Sequence, residues 1–406
     1  MKLAPVEQSD LHISEIGQAA YEVVWEPFDG SQALALDSRA DHTLYPGTRG
    51  PGQTTTQLMR FFKNVGKGYG AFWKGVIFDM EFDNLSGLVA DSKKWFSKFN
   101  DGAQFLSSPT HYKWVWPTGE ELLFRHVKRI SDYEKFHGHE YPFIGWNELT
   151  KYPDSELYDK MMSVNRSSFD PIINTPKDPK TGRYLTPDGK PLPPLKMCVF
   201  STTNPSGVGH TWVKRRFIDP APTGNVVRTK VKIFNPKIEK EEVYTKTQVA
   251  IFGSYKENKR LPASYIAELE SITDENQRRA WLEGDWDVTS GGAIDDIWET
   301  AVHRVPRFRI PESWYLDRTY DNGTRHPFSV GWWAEADGTE AEIVDQYGNS
   351  SYFCPSPGSL IQFFEYYGSE KIGTNKGIGL SSREIAQTIV DLEKSLVQAG
   401  WIAERP

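Results

Sequence analysis

Residues 47–54 read Gly47-Thr48-Arg49-Gly50-Pro51-Gly52-Gln53-Thr54, and this stretch decides the fold of the first half of the chain. It follows the phosphate-loop pattern G-x-x-x-x-G-K-[ST], in which backbone N–H groups surround the phosphates, the lysine neutralises their charge and the hydroxyl binds Mg²⁺. The two glycines and the hydroxyl are present, whereas Gln53 stands in the lysine position. The pattern therefore predicts a nucleotide site that lacks one positive charge.

The residues on either side of this loop favour the order strand, loop, helix. An apolar run, Thr43-Leu44-Tyr45, precedes the loop, and residues 55–62 place apolar side chains on one face of a helix. A phosphate loop needs this order because the N-terminus of the helix also faces the anion. An ordinary Gly/Pro-rich turn in front of a helix is the alternative for this segment taken alone.

Length and composition limit the classes of protein that the chain can belong to. With 406 residues it is expected to form two domains, and its net charge of −7 means that nucleic acid would need a local basic patch. Cys198 and Cys354 lie far apart and form no metal-binding spacing, which fits reduced thiols in a reducing cytosol. We expect neither a signal peptide nor a membrane span, because no apolar run is long enough.

The first part of the chain, residues 1–255, has the pattern of an α/β domain in which apolar strands alternate with helices. The proline-rich stretch 170–194 between two of these strands is predicted to be a surface excursion. The candidate strands are 75–78, 121–124, 143–146 and 197–200.

Residues 256–315 are predicted to be a linker with helical parts, and residues 316–406 change to a strand-rich pattern. In the latter, Asp337-Gly338 predicts a hairpin turn, and Ser381 with Glu384 has the spacing of a helix capping box. The predicted elements here are strands at 328–333, 341–344 and 360–367, followed by a helix with apolar residues at 385, 389, 392 and 396.

A second nucleotide signal is the apolar run 143–146 followed by Asn147 and Glu148. A phosphate-loop ATPase needs a strand that ends in an acid for Mg²⁺, followed by a glutamate that orients the attacking water. Glu148 stands in the glutamate position, while Asn147 keeps the shape of the acid and loses its charge. A strand ending in an ordinary turn explains the segment alone, but its place downstream of the phosphate loop favours the nucleotide site.

A third signal is the polar segment Ser201-Thr202-Thr203-Asn204-Pro205, which directly follows the run 197–200. A polar strand end of this kind can sense the γ-phosphate, although a strand followed by an Asn-Pro turn explains it equally well. The cations of Lys214-Arg215-Arg216 come shortly afterwards and suit a phosphate backbone or a neighbouring subunit. A solvated basic turn is the alternative for them.

Taken together, these segments resemble the large terminase subunit, the DNA-packaging motor of tailed bacteriophages. The resemblance rests on residues 47–54, 143–150, 201–214 and 284–287, which follow in the order of the family across most of the chain. It implies an α/β fold, with a P-loop ATPase domain on a central, mostly parallel sheet and then a truncated RNase H-like α/β nuclease domain. The expected boundaries are 1–255 for the ATPase, 256–315 for the linker and 316–406 for the incomplete nuclease.

The resemblance also implies roles for individual residues of the ATPase. Arg49 would supply part of the charge that Gln53 lacks, and Glu148 would be catalytic. The nucleotide-binding set is Gly47, Arg49, Gly50, Gly52, Gln53, Thr54, Thr55 and Asn147, with Thr54 and Asn147 holding Mg²⁺ alongside ATP. Coupling would use Thr202, Thr203 and Asn204, and contacts to DNA or a neighbouring subunit would use Lys214, Arg215, Arg216, Arg166 and Arg129. A surface or structural role is the alternative for each of these cations.

In the nuclease part, Asp321 stands in an Asp-x-Gly pattern, and Glu365 lies late in the third predicted strand. By resemblance these two would be catalytic metal ligands for Mg²⁺ or Mn²⁺, since two carboxylate-held ions about 4 Å apart clamp the attacking and leaving oxygens. Further acidic ligands are expected beyond Pro406. Asn322-Gly323 is also a hairpin signal, and a lone strand glutamate is commonly just exposed.

The function implied by the resemblance is ATP-driven translocation of double-stranded DNA into the procapsid, with metal-dependent endonuclease cleavage of concatemeric DNA. The implied partners are double-stranded DNA, the portal protein, the small terminase subunit and further copies in a homo-oligomeric ring, in the cytoplasm of the infected bacterial host. Gln53 and Asn147 predict impaired ATP hydrolysis, because each removes a charge where electrostatics dominates catalysis. A helicase-like P-loop ATPase and a non-catalytic nucleotide-binding scaffold are the alternatives.

Overall fold

A computed structural model describes residues 23–108, 110–236, 238–288, 300–344, 349–370 and 376–406. The chain divides into two compact units, Met1–Asp296 and Ile297–Pro406. Most of the segment predicted as a linker, residues 256–296, therefore groups with the first unit. The described residues include no helix that is both long and apolar enough to cross a membrane.

The first unit is an α/β structure in which most strands are followed by a helix. Its strands are β1 (His42–Pro46), β2 (Lys74–Asp79), β3 (Gln104–Leu106), β4 (Lys113–Val115), β5 (Glu121–His126), β6 (Phe143–Trp146), β7 (Cys198–Thr203), β8 (Val227–Asn235) and β9 (Lys240–Ala250). Its α-helices are α1 (Ser31–Asp37), α2 (Gln53–Phe62), α3 (Phe82–Phe96), α4 (Glu156–Met161), α5 (Pro171–Asn174), α6 (His210–Val213), α7 (Ala263–Glu270) and α8 (Glu275–Arg278).

These strands form one nine-stranded sheet in the order β3-β4-β5-β2-β6-β7-β1-β9-β8. The six central strands run parallel to one another; they are β5, β2, β6, β7, β1 and β9. The strands β3, β4 and β8 pair antiparallel at the two edges. The carboxyl ends of β6, β7 and β1 consequently lie side by side, which is where ligands bind in open α/β sheets. The predicted α/β class with a central, mostly parallel sheet is confirmed.

Apolar side chains cover both faces of this sheet, which explains why its inner strands read as continuous apolar runs. On one face Phe61 of α2 stacks on Trp73 with ring centroids 5.5 Å apart. On the other, Trp146 and Tyr158 pack with centroids 5.4 Å apart. A Cβ atom at Gly75 would come within 2.6 Å of the Phe61 ring, so the glycine in β2 allows α2 to pack directly on the sheet.

Two parts of the first unit extend beyond this core. Only the last residues of β9, Gln248–Ala250, pair with β1, and the rest of β9 forms a long exposed ladder with β8. The stretch 170–194 carries only the short helix α5 and a single bridge between Lys177 and Tyr184. The stretch 170–194 therefore matches the predicted surface excursion.

The second unit has a smaller, antiparallel architecture. Its three-stranded sheet has the order β10-β11-β14, and β12 and β13 form a separate pair. The helix α10 begins at the predicted capping box, in which the Glu384 backbone N–H donates to Ser381 Oγ at 3.3 Å. The elements are α9 (Thr300–His303), β10 (Tyr315–Asp321), β11 (Ser329–Glu335), β12 (Ala341–Val344), β13 (Ser350–Phe353), β14 (Leu360–Tyr367) and α10 (Ser382–Gln398).

The hairpin predicted at Asp337-Gly338 is wrong, because β12 pairs with β13 and not with β11. β11 has β10 on one side and β14 on the other, so neither of its edges is free for β12. Asp337 still makes a local turn, since its Oδ1 accepts a hydrogen bond from the Thr339 backbone N–H at 2.8 Å. The sequence thus predicts the turn at Asp337-Gly338, whereas competition for strand edges decides which strands pair.

The core of the second unit contains a fully buried carboxylate, Glu393 of α10. Trp332 Nε1 donates to it at 3.2 Å and Arg405 Nε at 2.9 Å, and Arg318 of β10 pairs with it as well. Burial alone would raise the pKa of Glu393, but the hydrogen bonds from Arg405, Trp332 and Arg318 hold it below its usual value. Glu393 thus connects α10 to the sheet, because Arg318 lies on β10 and Trp332 on β11.

Candidate nucleotide site

The phosphate loop, Gly47–Thr54, lies between β1 and α2, as its sequence predicts. Gly50 and Gly52 have φ angles of 93° and 85°, in the left-handed region that favours glycine. Gly47 forms a parallel bridge with Gly253, and a Cβ atom at Gly47 would lie 2.1 Å from the Gly253 carbonyl oxygen. The backbone of this loop therefore depends on its glycines.

Side-chain amides hold the carbonyl groups of the phosphate loop from outside. Asn204 Nδ2, just beyond β7, donates to the carbonyl oxygens of Gly47 at 2.7 Å and Thr48 at 2.9 Å. Asn258 Nδ2 donates to the Gly50 carbonyl oxygen at 2.7 Å. The loop is consequently fixed by two segments that lie far from it in the sequence.

Several backbone N–H groups of the loop remain available. Within the described part of the chain, no group accepts a hydrogen bond from the N–H groups of Gly50, Gly52, Gln53, Thr54 or Thr55. The first N–H groups of a helix lack partners inside the helix, and its dipole attracts negative charge to this end. Free N–H groups around two left-handed glycines at the start of a ten-residue helix are suited to binding phosphate oxygens.

Gln53 occupies the position where the motif places lysine, and its side chain turns to the ends of two strands. Gln53 Nε2 donates to the carbonyl oxygens of Tyr45 in β1 at 2.9 Å and Thr203 in β7 at 2.6 Å. The amide links β1 to β7 but brings no positive charge to the cleft. The loss of charge that the sequence predicts is therefore accompanied by a structural role.

Arg49 is the cation of the phosphate loop. Its guanidinium lies 4.2 Å from the centroid of the Trp281 ring, and its backbone N–H donates to the Trp281 carbonyl oxygen at 2.9 Å. Its Nε atom is buried without an acceptor among the described residues. Its positive charge is close enough to Glu148 to lower the pKa of that carboxyl. Arg49 thus places a positive charge in the neighbourhood of Glu148.

Glu148 follows β6 with a φ angle of 54°, an uncommon backbone conformation for a residue other than glycine. Burial raises the pKa of Glu148, the like charge of Asp79 adds to this, and the charges of Lys151 and Arg49 oppose it. Its backbone N–H donates to Thr202 Oγ1 at 3.5 Å. Strained backbone and a raised carboxyl pKa are both common at functional sites.

Asn147, beside Glu148, contacts a carboxylate that the sequence analysis missed. Asn147 Nδ2 donates to Asp79 Oδ2 at 2.6 Å, and Thr202 Oγ1 donates to Asn147 Oδ1 at 3.4 Å. Asp79 is the last residue of β2 and is fully buried. The signal that could have found it is the one that found Glu148, an acid directly after an apolar run.

The predicted coupling residues connect the two halves of the site, because β7 lies between β6 and β1. Thr202 contacts Asn147, and Asn204 holds the phosphate loop. Thr203 Oγ1 lies 2.6 Å from Thr150 Oγ1, beyond the end of β6. The structure thus brings residues 47–55, 147–148 and 202–204 together at one edge of the sheet.

Two glutamines near the loop carried no motif and were also missed. Gln57 of α2 is fully buried, and its Nε2 donates to the carbonyl oxygens of Trp146 and Phe200 at 3.0 Å each. Gln32 of α1 donates to the Gly52 carbonyl oxygen at 3.4 Å. These side chains connect α2 to β6 and β7, and α1 to the loop.

The predicted DNA-contacting cations do not gather at this site. Lys214 Nζ pairs with Asp287 at 2.9 Å, and Arg216 pairs with Asp159 at 2.5 Å. Both cations therefore serve contacts within the first unit. Arg215 is exposed, and no carboxylate of the described residues pairs with it.

The other two candidate cations lie on the surface of the first unit. Arg166 donates to the Gly138 carbonyl oxygen at 3.1 Å and pairs with Glu140 at 3.8 Å. Arg129 is exposed, and its backbone N–H donates to Asp132 at 2.9 Å. These contacts are local and do not lead to the phosphate loop.

The two candidate nuclease ligands lie on the second unit. Asp321 of β10 and Glu365 of β14 are exposed on the same face of the sheet, with β11 between them. Their Cα atoms are separated by at least two strand spacings, or about 10 Å. Ser329 Oγ donates to Glu365 Oε1 at 2.9 Å. No group of three or more His, Cys, Asp or Glu side chains within the described ranges could hold a metal ion.

Comparison with known proteins gives matches among solved structures alone. No protein-family model and no curated protein matches the chain. The large terminase from a thermophilic bacteriophage is 14% identical over 91% of this chain and 74% of that one, with a TM-score of 0.45. The large terminase of bacteriophage HK97 is 11% identical over 96% and 70%, with a TM-score of 0.39.

The ATPase domain of the Thermus phage P74-26 large terminase is also similar, with 10% identity over 64% of this chain and 94% of that one and a TM-score of 0.37. Two further structures of the first of these terminases, from the thermophilic bacteriophage, are complexes with ADP and with ATP-gamma-S. All these solved structures come from the family that the sequence motifs resemble.

Proposed function

We propose that the first unit is a P-loop ATPase of the large-terminase type, which drives double-stranded DNA into a procapsid. The observation that carries this proposal is the set of free N–H groups of residues 50 and 52–55 on the same sheet edge as Asn147 and Glu148. Thr202, between them, contacts Asn147 and the Glu148 backbone. An anion cradle facing a carboxylate is what nucleotide hydrolysis requires.

The residues at this edge fit a nucleotide with its Mg²⁺. The free N–H groups would hold phosphate oxygens, and the guanidinium of Arg49 would supply positive charge. The Thr54 hydroxyl and the Asn147 carboxamide oxygen are hard oxygen ligands of the kind that Mg²⁺ prefers, directly or through water. The ion, when bound, neutralises charge that develops on the phosphates. Glu148 would orient the attacking water.

We expect this chain to hydrolyse ATP slowly, because Gln53 and Asn147 are neutral where the motif places charges. The test compares phosphate release by the unmodified chain, by Gln53→Lys with Asn147→Asp, and by the same pair with Glu148→Gln. Faster release by the pair, abolished by the third change, supports the proposal. Ordinary motor rates in the unmodified chain would contradict the expected impairment.

A non-catalytic nucleotide-binding scaffold is the second candidate. It is favoured by the Gln53 side chain, whose amide is engaged with the carbonyl groups of Tyr45 and Thr203. Titration with a fluorescent ATP analogue separates the two candidates when combined with the hydrolysis assay. Binding without turnover, in both the unmodified chain and the Gln53→Lys, Asn147→Asp variant, would favour the scaffold.

For the second unit we propose an RNase H-like nuclease role in which Asp321 and Glu365 bind Mg²⁺ or Mn²⁺. Their position on one face of β10-β11-β14 supports this role. Plasmid cleavage in Mn²⁺ is compared between the unmodified chain, Asp321→Asn and Glu365→Gln. Cleavage that both changes abolish supports the role. Equal cleavage in all three speaks against it. Because further acidic ligands are expected, Mn²⁺ binding is the test if the unmodified chain does not cut, and both changes should weaken that binding.

The partners in this proposal are double-stranded DNA, the portal protein, the small terminase subunit and further copies in a ring, in the cytoplasm of the infected host. Among the cations of the run 214–216, Arg215 is the one we propose for DNA, because Lys214 and Arg216 have acidic partners. Arg215→Ala should weaken DNA binding at low salt, and Arg183→Ala, which changes an exposed cation of the stretch 170–194, is the control.

A further inference from the structure

The carboxylate of Asp79 lies at the nucleotide site but in none of its sequence motifs. It ends β2, the strand beside β6, and its side chain is fully buried. Asp79 Oδ2 accepts a hydrogen bond from Asn147 Nδ2 at 2.6 Å, as short as any side-chain contact at this edge of the sheet. An acid thus adjoins the one position where the nucleotide motif has lost its acid.

The other oxygen of Asp79 has different partners. Asp79 Oδ1 accepts hydrogen bonds from the Glu81 backbone N–H at 2.9 Å and from Asn84 Nδ2 at 3.2 Å. Lys151 Nζ lies 3.8 Å from the same oxygen. Each of these groups is a donor, so both oxygens of the carboxylate act as hydrogen-bond acceptors.

The contact fixes the direction of the Asn147 carboxamide. A carboxylate accepts hydrogen bonds, so it must face the NH₂ group of the amide and not its oxygen. Asn147 Oδ1 consequently points the other way, where Thr202 Oγ1 donates to it at 3.4 Å. Because the carboxylate polarises the amide through its NH₂ group, the amide oxygen becomes a better ligand, as happens when an acid accepts a hydrogen bond from a metal-binding histidine.

We propose that Asp79 is a positioning residue that supplies, through Asn147, the negative charge that an acid at position 147 would supply directly. This inference rests on the proposed function of the site. The Asn147 oxygen would face the Mg²⁺ of the nucleotide, and Asp79 would orient and polarise it from behind. The sheet edge therefore keeps an acid, which lies on β2, the strand next to β6.

The competing explanation is that Asp79 serves the backbone alone. Its contacts with Glu81 and Asn84 lie at the start of α3, so the carboxylate could be needed only to fix that turn. The two explanations differ in one property. If the charge acts through Asn147, its loss in Asp79→Asn weakens metal binding by a folded protein and Asn147→Asp supplies it again, whereas the loss of a purely structural acid weakens metal binding only through misfolding.

The experiment uses the full chain and four variants: Asp79→Asn, Asn147→Asp, the exchange Asp79→Asn with Asn147→Asp, and Asn84→Ala as control. Mn²⁺ binding in the presence of ATP-γ-S is measured by electron paramagnetic resonance. Binding of a fluorescent ATP analogue without metal is measured in parallel, and thermal unfolding checks that each variant is folded. Asn84→Ala removes a donor to the far oxygen of Asp79 and leaves Asn147 in place.

We expect Asp79→Asn to weaken Mn²⁺ binding by about 10-fold or more, as for other outer-shell ligand partners, with little change in metal-free nucleotide binding. The exchange should restore Mn²⁺ affinity to the level of the unmodified chain or above it, and Asn84→Ala should retain it. If Asp79→Asn alone fails to fold, the exchange variant still tests the inference, because it keeps the shape and the total charge of the pair.

An unchanged Mn²⁺ affinity in folded Asp79→Asn would overturn the inference and leave the proposed function standing. An exchange variant that folds but binds Mn²⁺ weakly would do the same, since it would show that the acid works only at position 79. Absence of any Mn²⁺-dependent nucleotide binding by the unmodified chain would instead overturn the proposed function, and the inference with it.

Discussion

The carboxyl edge of the nine-stranded sheet and the outer face of β10-β11-β14, where Asp321 and Glu365 are exposed, both carry acidic residues, but among the described residues these acids converge only at the first. At the sheet edge, Asp79 is buried and Glu148 has a raised pKa, and both lie beside Asn147. On the second unit, Asp321 and Glu365 are exposed and separated by a strand. Both regions therefore contain acidic residues, and they differ in whether those residues lie close together.

The difference follows from the direction of the strands. Parallel neighbours end at the same edge, so residues that follow β2, β6, β7 and β1 meet there although they are far apart in sequence. Antiparallel neighbours end at opposite edges, and their acids meet only across a sheet face. A parallel sheet thus gathers polar groups at one edge, where neighbouring groups exclude part of the water. Electrostatic interactions among these groups are stronger there than in bulk water.

The largest expected effect is on catalysis at the sheet edge. Glu148→Gln should slow ATP hydrolysis by about 10²- to 10⁴-fold, the usual contribution of a positioned acid–base group. Affinity for a fluorescent ATP analogue should change little, because the free N–H groups of the loop remain. Radiolabelled phosphate release measures the rate, and Glu365→Gln on the second unit is the matched control. An equal loss of hydrolysis rate in Glu148→Gln and Glu365→Gln would show that the two regions do not differ in their role in hydrolysis.

A second prediction concerns Glu393, a buried acid of the second unit with charged partners. Glu393→Gln should lower the free energy of unfolding by about 3 kcal/mol, because Arg318 and Arg405 lose the charge that they neutralise. Urea denaturation followed by tryptophan fluorescence measures this, since Trp332 donates to the carboxylate. A loss near zero would mean that this charge cluster contributes no more than a surface ion pair.

A third prediction concerns His42, at the amino end of β1 and away from the phosphate loop. Burial, together with the charge of Arg216, lowers the pKa of His42 to about 4. The unfolded chain then binds a proton below pH 6.5 that the folded chain does not bind, so stability falls between pH 6.5 and 4. The loss should be about 2 kcal/mol at roughly pH 5 relative to about pH 7.5.

Urea denaturation at the two pH values measures this loss, and the His42→Gln variant is the control. The variant should lose less stability on acidification, by about the same 2 kcal/mol, since glutamine does not titrate in this range. An identical pH dependence in both proteins would show that other groups cause it.

The smallest expected effect belongs to the exposed acid of the second unit. Asp321→Asn should change the free energy of unfolding by less than about 0.5 kcal/mol, as is usual for surface positions. It should leave binding of the fluorescent ATP analogue unchanged. A destabilisation comparable with that of Glu393→Gln would show that the outer face of β10-β11-β14 has contacts as tight as those of its core.

Much of this architecture could be predicted because its signals are local. The loop at 47–54 needs only its glycines and a helix behind it, the strands at 75–78 and 143–146 need only continuous apolar residues, and α10 needs its capping box. Each of these depends on backbone conformation and periodicity within a few residues. Glu148 and the segment 202–204 were identified in the same way, from their places directly after apolar strands.

Tertiary structure alone decided which distant groups meet. The hydrogen bond between Asn147 and Asp79, the side chain of Gln53 turned to Tyr45 and Thr203, and the pairing of β12 with β13 all depend on which strands become neighbours. Sequence specifies a strand through its own residues, but strand order results from competition among all edges and faces for burial. For this reason the sequence by itself predicted the nucleotide loop, and only the fold placed a buried acid behind the position that had lost one.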